Sequence, residues 1–208
     1  MLPVDYSDRL RVMSIGFLLP EANRAVIWRG PLKMRLIKEF LKDVDWGELD
    51  YLVIDSPPGT GDEPLSVCQL IPDADGAIIV TTPQEVALAD VRKSISFCRT
   101  VQMPVLGVIE NMSGFVCPKC GEVTDIFKSG GGETMALEMG VAFLGSIPID
   151  ARVVQASDAG RPCVSECGGT GVSAAFERVI EPILELDDEG GAEPDRIDPN
   201  QRREETYA

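Results

Sequence analysis

Short apolar runs alternate with longer stretches whose apolar positions recur at helical spacing. Residues 12–19, 51–55, 76–81, 105–110 and 142–147 read as strands. Several of these runs are continuously apolar rather than alternating, as strands covered on both faces of a sheet are. Between them, residues 32–44, 64–70, 88–101 and 133–139 read as helices, followed by a last helix over 172–186. Such alternation builds an α/β fold, a mostly parallel sheet flanked by helices. Asp55, Thr81, Asn111 and Pro148 fall at or just past strand C-termini, the edge where open α/β sheets bind ligands. One stretch breaks the rhythm. Residues 113–132 are rich in glycine, hold two cysteines and show little periodicity, and insertions of this kind usually carry function.

Composition narrows the chemistry. The 208 residues include 19 Lys+Arg against 34 Asp+Glu, a net charge of −15, and no histidine. That excludes Ser–His and Cys–His nucleophile pairs, an HExxH zinc site and an imidazole pH switch. A pI near 4.4 argues against nucleic-acid and membrane partners, which need a basic footprint. The acidity is concentrated at the end of the chain. Residues 185–208 carry nine acids and three arginines with almost no apolar residues, so they are expected to form a disordered acidic tail behind a domain at 1–184. No basic n-region precedes an apolar h-region, and no apolar run approaches the roughly 18 residues of a membrane span. The six cysteines are therefore expected to be reduced, in a cytoplasmic protein.

Three motifs carry candidate chemistry. In YLVIDSPPGTGD (51–62), an apolar run ending in Asp55 and followed by a glycine-containing loop is the arrangement of a Walker B segment. Asp55 would reach Mg²⁺ or its water, and Gly59 and Gly61 allow backbone N–H groups close to an anion. In CPKCG (117–121), Cys117 and Cys120 can hold one metal ion or two corners of an iron–sulfur cluster. Both chemistries want four ligands, and two copies related by a two-fold axis would supply them. Spacing alone leaves structural zinc, a redox pair and iron–sulfur open. The third motif is the pair ENMSG (110–114) and IPID (147–150), each ending a strand. Here an Asn side chain offers a donor and an acceptor that suit an adenine edge.

In order, DSPPGTGD, TTPQEVALAD, VIENMSGFVCPKCG and GSIPID resemble the Mrp/ApbC-type iron–sulfur cluster carrier ATPases, of the MinD-like, deviant-Walker-A branch of P-loop NTPases. IWRGP at 27–31 fits as well, and the resemblance covers about residues 12–164. It implies a homodimer that holds a labile [4Fe–4S] cluster across its interface through Cys117 and Cys120, binds ATP and Mg²⁺, hydrolyses ATP slowly and hands the cluster to apo-proteins. By the same resemblance, Asp55 and Asp62 are the candidate catalytic carboxylates. Gly59 faces the γ-phosphate, and Asn111, Pro148 and Asp150 line the nucleotide side. The chain departs from the family in two places. No G-K-G-G-x-G-K-[ST] loop occurs, so the sequence reads as lacking an N-terminal P-loop unit and as inactive toward ATP by itself. Lys128 stands where the family usually has Gly. Cys163 and Cys167 are not family motif positions and read as core packing. The alternative function is a non-catalytic assembly partner whose CxxC holds structural zinc.

Overall fold

The structure is a computed structural model that describes residues 1–19, 30–117 and 119–189. The chain divides into two compact units, Met1–Ile79 with Ala89–Val105, and Val80–Leu88 with Leu106–Ala208. The boundaries fall within two strands and one helix.

In the first unit, β1 (Val4–Ser7) and β2 (Leu10–Val12) form an antiparallel hairpin. The strand expected over 12–19 stops at Val12. Ser14 accepts the Gly16 amide and starts a short 3-10 turn over Ile15–Leu18, a local bond that competes with a ladder. α1 (Gly30–Lys42) packs against α2 (Asp62–Leu70), with Leu36 buried and Lys33 paired to Glu63. Arg11 donates to the Trp46 carbonyl, and the Trp46 indole donates to the Phe40 carbonyl at 3.0 Å, so the chain after α1 is tied to the hairpin. Residues 27–29 of the IWRGP motif lie outside the described residues.

The expected strand at 51–55 is not formed. The run has the β-branched, apolar composition of a strand, yet it joins no ladder among the described residues, and Val53 is 85 % exposed. Strand geometry is favoured where a neighbouring strand takes the N–H and C=O groups, and no described strand pairs with this run.

Most of the four-stranded sheet lies in the second unit. β3 (Ala77–Thr81), β4 (Val105–Val116) and β5 (Val123–Thr124) run in that order, and β6 (Phe143–Ile149) also pairs with β4. The β4–β6 ladder is parallel from Val108↔Phe143 to Asn111↔Ile147, as a crossover through α4 (Gly131–Met139) requires. β4 does not end at Glu110 as expected. It continues to Val116 and pairs antiparallel with β5, which makes the described sheet mixed. α3 (Glu85–Thr100) and α4 occupy the two expected helical stretches, each starting a few residues early. α5 (Ala151–Asp158) and the single turn α6 (Cys163–Glu166) were not expected. α7 (Gly171–Glu189) packs on β6 and continues past 186, so residues 185–189, assigned to the tail from sequence, are helical. The rest of the tail, 190–208, lies outside the described residues. The core joins Ile109, Ile147, Ala156, Cys163, Cys167, Val172 and Val179.

Candidate functional site

The insertion is built as an outgrowth of β4. Phe115 faces Thr124 and Val116 faces Val123 across the antiparallel ladder, and Cys117 N–H donates to the Glu122 carbonyl at 2.9 Å. The chain then reverses in a tight turn closed by Gly121 N–H donating to the Cys117 carbonyl at 2.9 Å. Gly121 at φ +75 supplies the left-handed residue this needs. Cys117 and Cys120 therefore sit at the tip of a hairpin, the first half-buried and the second exposed. The backbone amides of Lys119 and Cys120 and the Cys120 side chain direct hydrogen bonds at Cys117, and these hold its thiol below the ordinary thiol range. Sulfur wrapped by N–H donors suits a thiolate that ligates metal, since those bonds spread its charge. On the same insertion Val116 and Val123, paired across the ladder, are exposed, as are Ile126 and Phe127. Among the described residues no group of three or more Cys, Asp or Glu side chains converges on one point, so one chain brings two thiolates and no more.

At the root of the hairpin, β4 bends. The β4–β6 register is interrupted between Asn111 and Phe115, where Met112 (φ +57) and Gly114 (φ +72) take left-handed conformations. Asn111 lies opposite Ile147 in the register, and its Oδ1 accepts the Met112 amide at 2.8 Å. Pro148 is the next-to-last residue of β6, and Asp150 caps α5 by accepting the Arg152 amide at 2.8 Å. The Arg152 guanidinium paired with Asp150 holds that carboxyl below its usual range. Asn111, Pro148 and Asp150 are thus brought to the C-terminal edge of two neighbouring parallel strands. Glu110, which sequence reasoning left without a role, is fully buried beside them. It accepts from Ser113 Oγ at 2.6 Å, from Gly130 N–H at 2.8 Å and from Gly132 N–H. The signal for it was present in the sequence, as a carboxylate closing the apolar run VLGVIE of a central strand.

The loop carrying Asp55 and Gly59 belongs to the first unit. Asp55 is exposed, and Gly59 takes φ +101 with open space around it, so backbone there is accessible to an approaching group. Asp62 opens α2, whose N-terminal end also carries Glu63. The Asp62 carboxylate rests on Gly30 at the start of α1, where a Cβ would come within 2.8 Å of its Oδ2. Lys33 holds the Glu63 carboxyl below its usual range.

Cys163 and Cys167 flank α6 in the core, 8 % and 3 % exposed. Burial, reinforced by a hydrogen bond with Cys167, pushes the Cys163 thiol up to about 11. Burial also raises the thiols of Cys68 and Cys98. These four are packing residues. Only in the hairpin pair is a thiol, that of Cys117, held toward its thiolate, and its neighbour Cys120 is the exposed cysteine among the six.

A model of the NUBPL iron-transfer P-loop NTPases matches residues 1–184. The chain belongs to that family. It is 53 % identical over 186 residues to an iron-sulfur cluster carrier protein of Methanocaldococcus jannaschii, a match covering 89 % of this chain and 63 % of that protein's length. Among solved structures it is similar to a nucleotide-binding protein of Archaeoglobus fulgidus in complex with ADP. That match has a TM-score of 0.63 and 45 % identity, over 77 % of this chain and 61 % of the other. The cell division ATPase MinD of Pyrococcus furiosus, at 21 % identity, shares the fold with a TM-score of 0.54 over 78 % of this chain and 63 % of MinD. Membership of the iron-transfer P-loop NTPase family and a MinD-like α/β fold, both expected from the sequence motifs, are thereby shown, and the chain spans somewhat less than two thirds of the length of these relatives. Among the described residues no helix is long and apolar enough to cross a membrane.

Proposed function

We propose that this iron-transfer NTPase chain carries a [4Fe–4S] cluster as cargo on Cys117 and Cys120 and passes it to apo iron–sulfur proteins. The supporting observation is the hairpin itself, which exposes two thiols at its tip and bends N–H donors onto Cys117. A [4Fe–4S] cube needs four thiolates and one chain offers two. A second copy, docked through the exposed Val116, Val123, Ile126 and Phe127, completes the set across a two-fold axis. Transfer is then ligand exchange. Each iron–thiolate bond broken at the carrier is replaced by one to an acceptor thiolate, acceptor thiols release protons, carrier thiolates can take them up, and no net oxidation occurs. A thiol with a depressed pKa stays ionised as the iron leaves, which favours release over trapping.

Nucleotide has the second place in this proposal. Asp55 and Asp62 would serve Mg²⁺ and the reacting phosphate, Gly59 the γ-phosphate side, and Asn111, Pro148 and Asp150 the base side. A Walker A lysine and its loop do not occur in these 208 residues. ATP hydrolysis by this chain alone is accordingly negligible, because each charge-assisted phosphate contact is worth roughly 1.5–3 kcal/mol. This reading expects a reducing compartment such as the cytoplasm, because the two thiolates must stay reduced to hold iron.

Anaerobic reconstitution with iron and sulfide, followed by metal analysis and size-exclusion chromatography, tests the reading. About four iron and four sulfide for every two chains, eluting as a dimer, supports it. Stoichiometric zinc, retained without sulfide and independent of dimer formation, replaces it with the structural-zinc module.

A further inference from the structure

We propose that Glu110 is a positioning residue for the cysteine hairpin. Its buried carboxylate clasps both ends of the segment that carries Cys117 and Cys120, and so governs how firmly the hairpin keeps its cargo. The effect on cargo rests on the cluster reading above, whereas the clasp rests on geometry alone. On the outgoing side, Ser113 Oγ donates to Oε1 at 2.6 Å. On the returning side, Gly130 N–H reaches the same oxygen at 2.8 Å and Gly132 N–H reaches Oε2. One carboxylate therefore closes the loop from Ser113 to Gly130 at its neck.

The donors are a hydroxyl and two amides from the start of α4. Those amides have no partner within the helix, and the helix dipole favours negative charge at that end. Gly132 permits the close approach. A Cβ there would lie 3.0 Å from both Cβ and Oε2 of Glu110 and 3.1 Å from Cγ2 of Thr81. Its neighbours serve other ends: a Cβ on Gly131 would lie 2.7 Å from the Pro83 carbonyl oxygen, and Gly130 takes φ +77 at the N-cap of α4. With the neck closed, the hairpin extends β4 as a fixed arm and presents its two thiols in a set geometry. With the neck open, the same segment frays and its thiols lose their amide donors.

Full-length chain, wild type and variants, tests the clasp in two ways. Hydrogen exchange of the apo-protein compares residues 113–130 with α7. Iron release from the reconstituted protein to a strong ferrous chelator reports on retention. Glu110→Gln keeps the shape but turns an NH₂ donor toward donors. It is expected to speed both exchange in 113–130 and iron release about tenfold, the ratio for one lost charge-assisted hydrogen bond, with α7 unchanged. Ser113→Ala opens one side only and shifts both in the same direction by less. Cys163→Ala, a core change elsewhere in this unit, leaves both at wild-type values. Wild-type exchange in 113–130 for Glu110→Gln, or acceleration spread evenly through α7, overturns the clasp. If Glu110→Gln does not fold, Ser113→Ala decides, and wild-type exchange and release in that variant overturn it. Failure of the cluster reading looks different: the wild type then holds no iron on Cys117, while exchange in Glu110→Gln still rises locally.

Discussion

Two cysteine pairs in the same unit were given opposite properties by their surroundings. Cys117 and Cys120, two residues apart, stand at the tip of a hairpin where backbone amides bend onto sulfur and lower the Cys117 pKa. Cys163 and Cys167, four residues apart, lie against Ile109, Ile147 and Val179, where burial drives the Cys163 thiol up to about 11. The first pair has the surroundings that the proposed cargo site needs, and the second is a pair of small apolar residues that happen to contain sulfur. A count of cysteines says little; what matters is whether N–H groups or hydrocarbon face the sulfur.

The sharpest way to break this contrast is by substitution. Cys117→Ala or Cys120→Ala is expected to abolish reconstituted iron and the cluster-dependent dimer, while Cys163→Ala and Cys167→Ala keep both, as read by iron and sulfide content and elution volume. Retained iron in Cys117→Ala with loss in Cys163→Ala would reverse the assignment. Alkylation gives the next largest effect. At pH 8, iodoacetamide should modify Cys117 in the apo-protein at least about a hundredfold faster than Cys163, from ionisation alone. Peptide mass spectrometry over a time course measures the ratio.

Stability sharpens the comparison from the other side. Cys163→Ala is expected to cost about 1–2 kcal/mol by urea unfolding, whereas Cys120→Ala in the apo-protein leaves the midpoint nearly unmoved. A raised folded-state pKa means that the contribution of Cys163 is complete below the ordinary thiol value and is lost as pH climbs toward about 11. The urea midpoint of the wild type should therefore fall over that alkaline window, and Cys163→Ala should flatten the fall. The smallest effect concerns Lys128, which takes φ +69 at the end of the insertion. Lys128→Gly removes a left-handed backbone penalty of about 1 kcal/mol and raises the midpoint without changing iron content.

Sequence reading reached the central frame of the fold and missed what depends on neighbours. Residues 76–81, 105–110 and 142–147 were legible as strands because they are apolar runs, covered on both faces in β4 and β6 and on one face in β3, where Ile78 and Val80 are exposed. The run at 51–55 has the same pattern and no partner strand among the described residues, and pattern cannot report a missing partner. The hairpin of β4 and β5 was concealed by its own composition, since glycines and a CxxC mask a strand that carries on past Glu110. α5 was missed for its shortness, eight residues, although Asp150 stands at its N-cap. In the candidate site, Cys117, Cys120, Asn111, Pro148 and Asp150 could be named from motifs. Glu110 was marked only as a carboxylate closing an apolar run, and its role lies in contacts with residues up to 22 positions away.

The unladdered run at 51–54 also bears on how this protein behaves in a tube. Val53 and its apolar neighbours form a short, β-prone and uncharged tetrad that other copies can template. What keeps copies apart at low ionic strength is their shared charge of −15, a long-range repulsion that fades once the Debye length shrinks to about 3 Å in molar salt. Its colloidal behaviour is therefore inverted from that of proteins salted in by weak electrolyte: dilute buffer preserves it, and concentrated salt brings the tetrads within reach of each other.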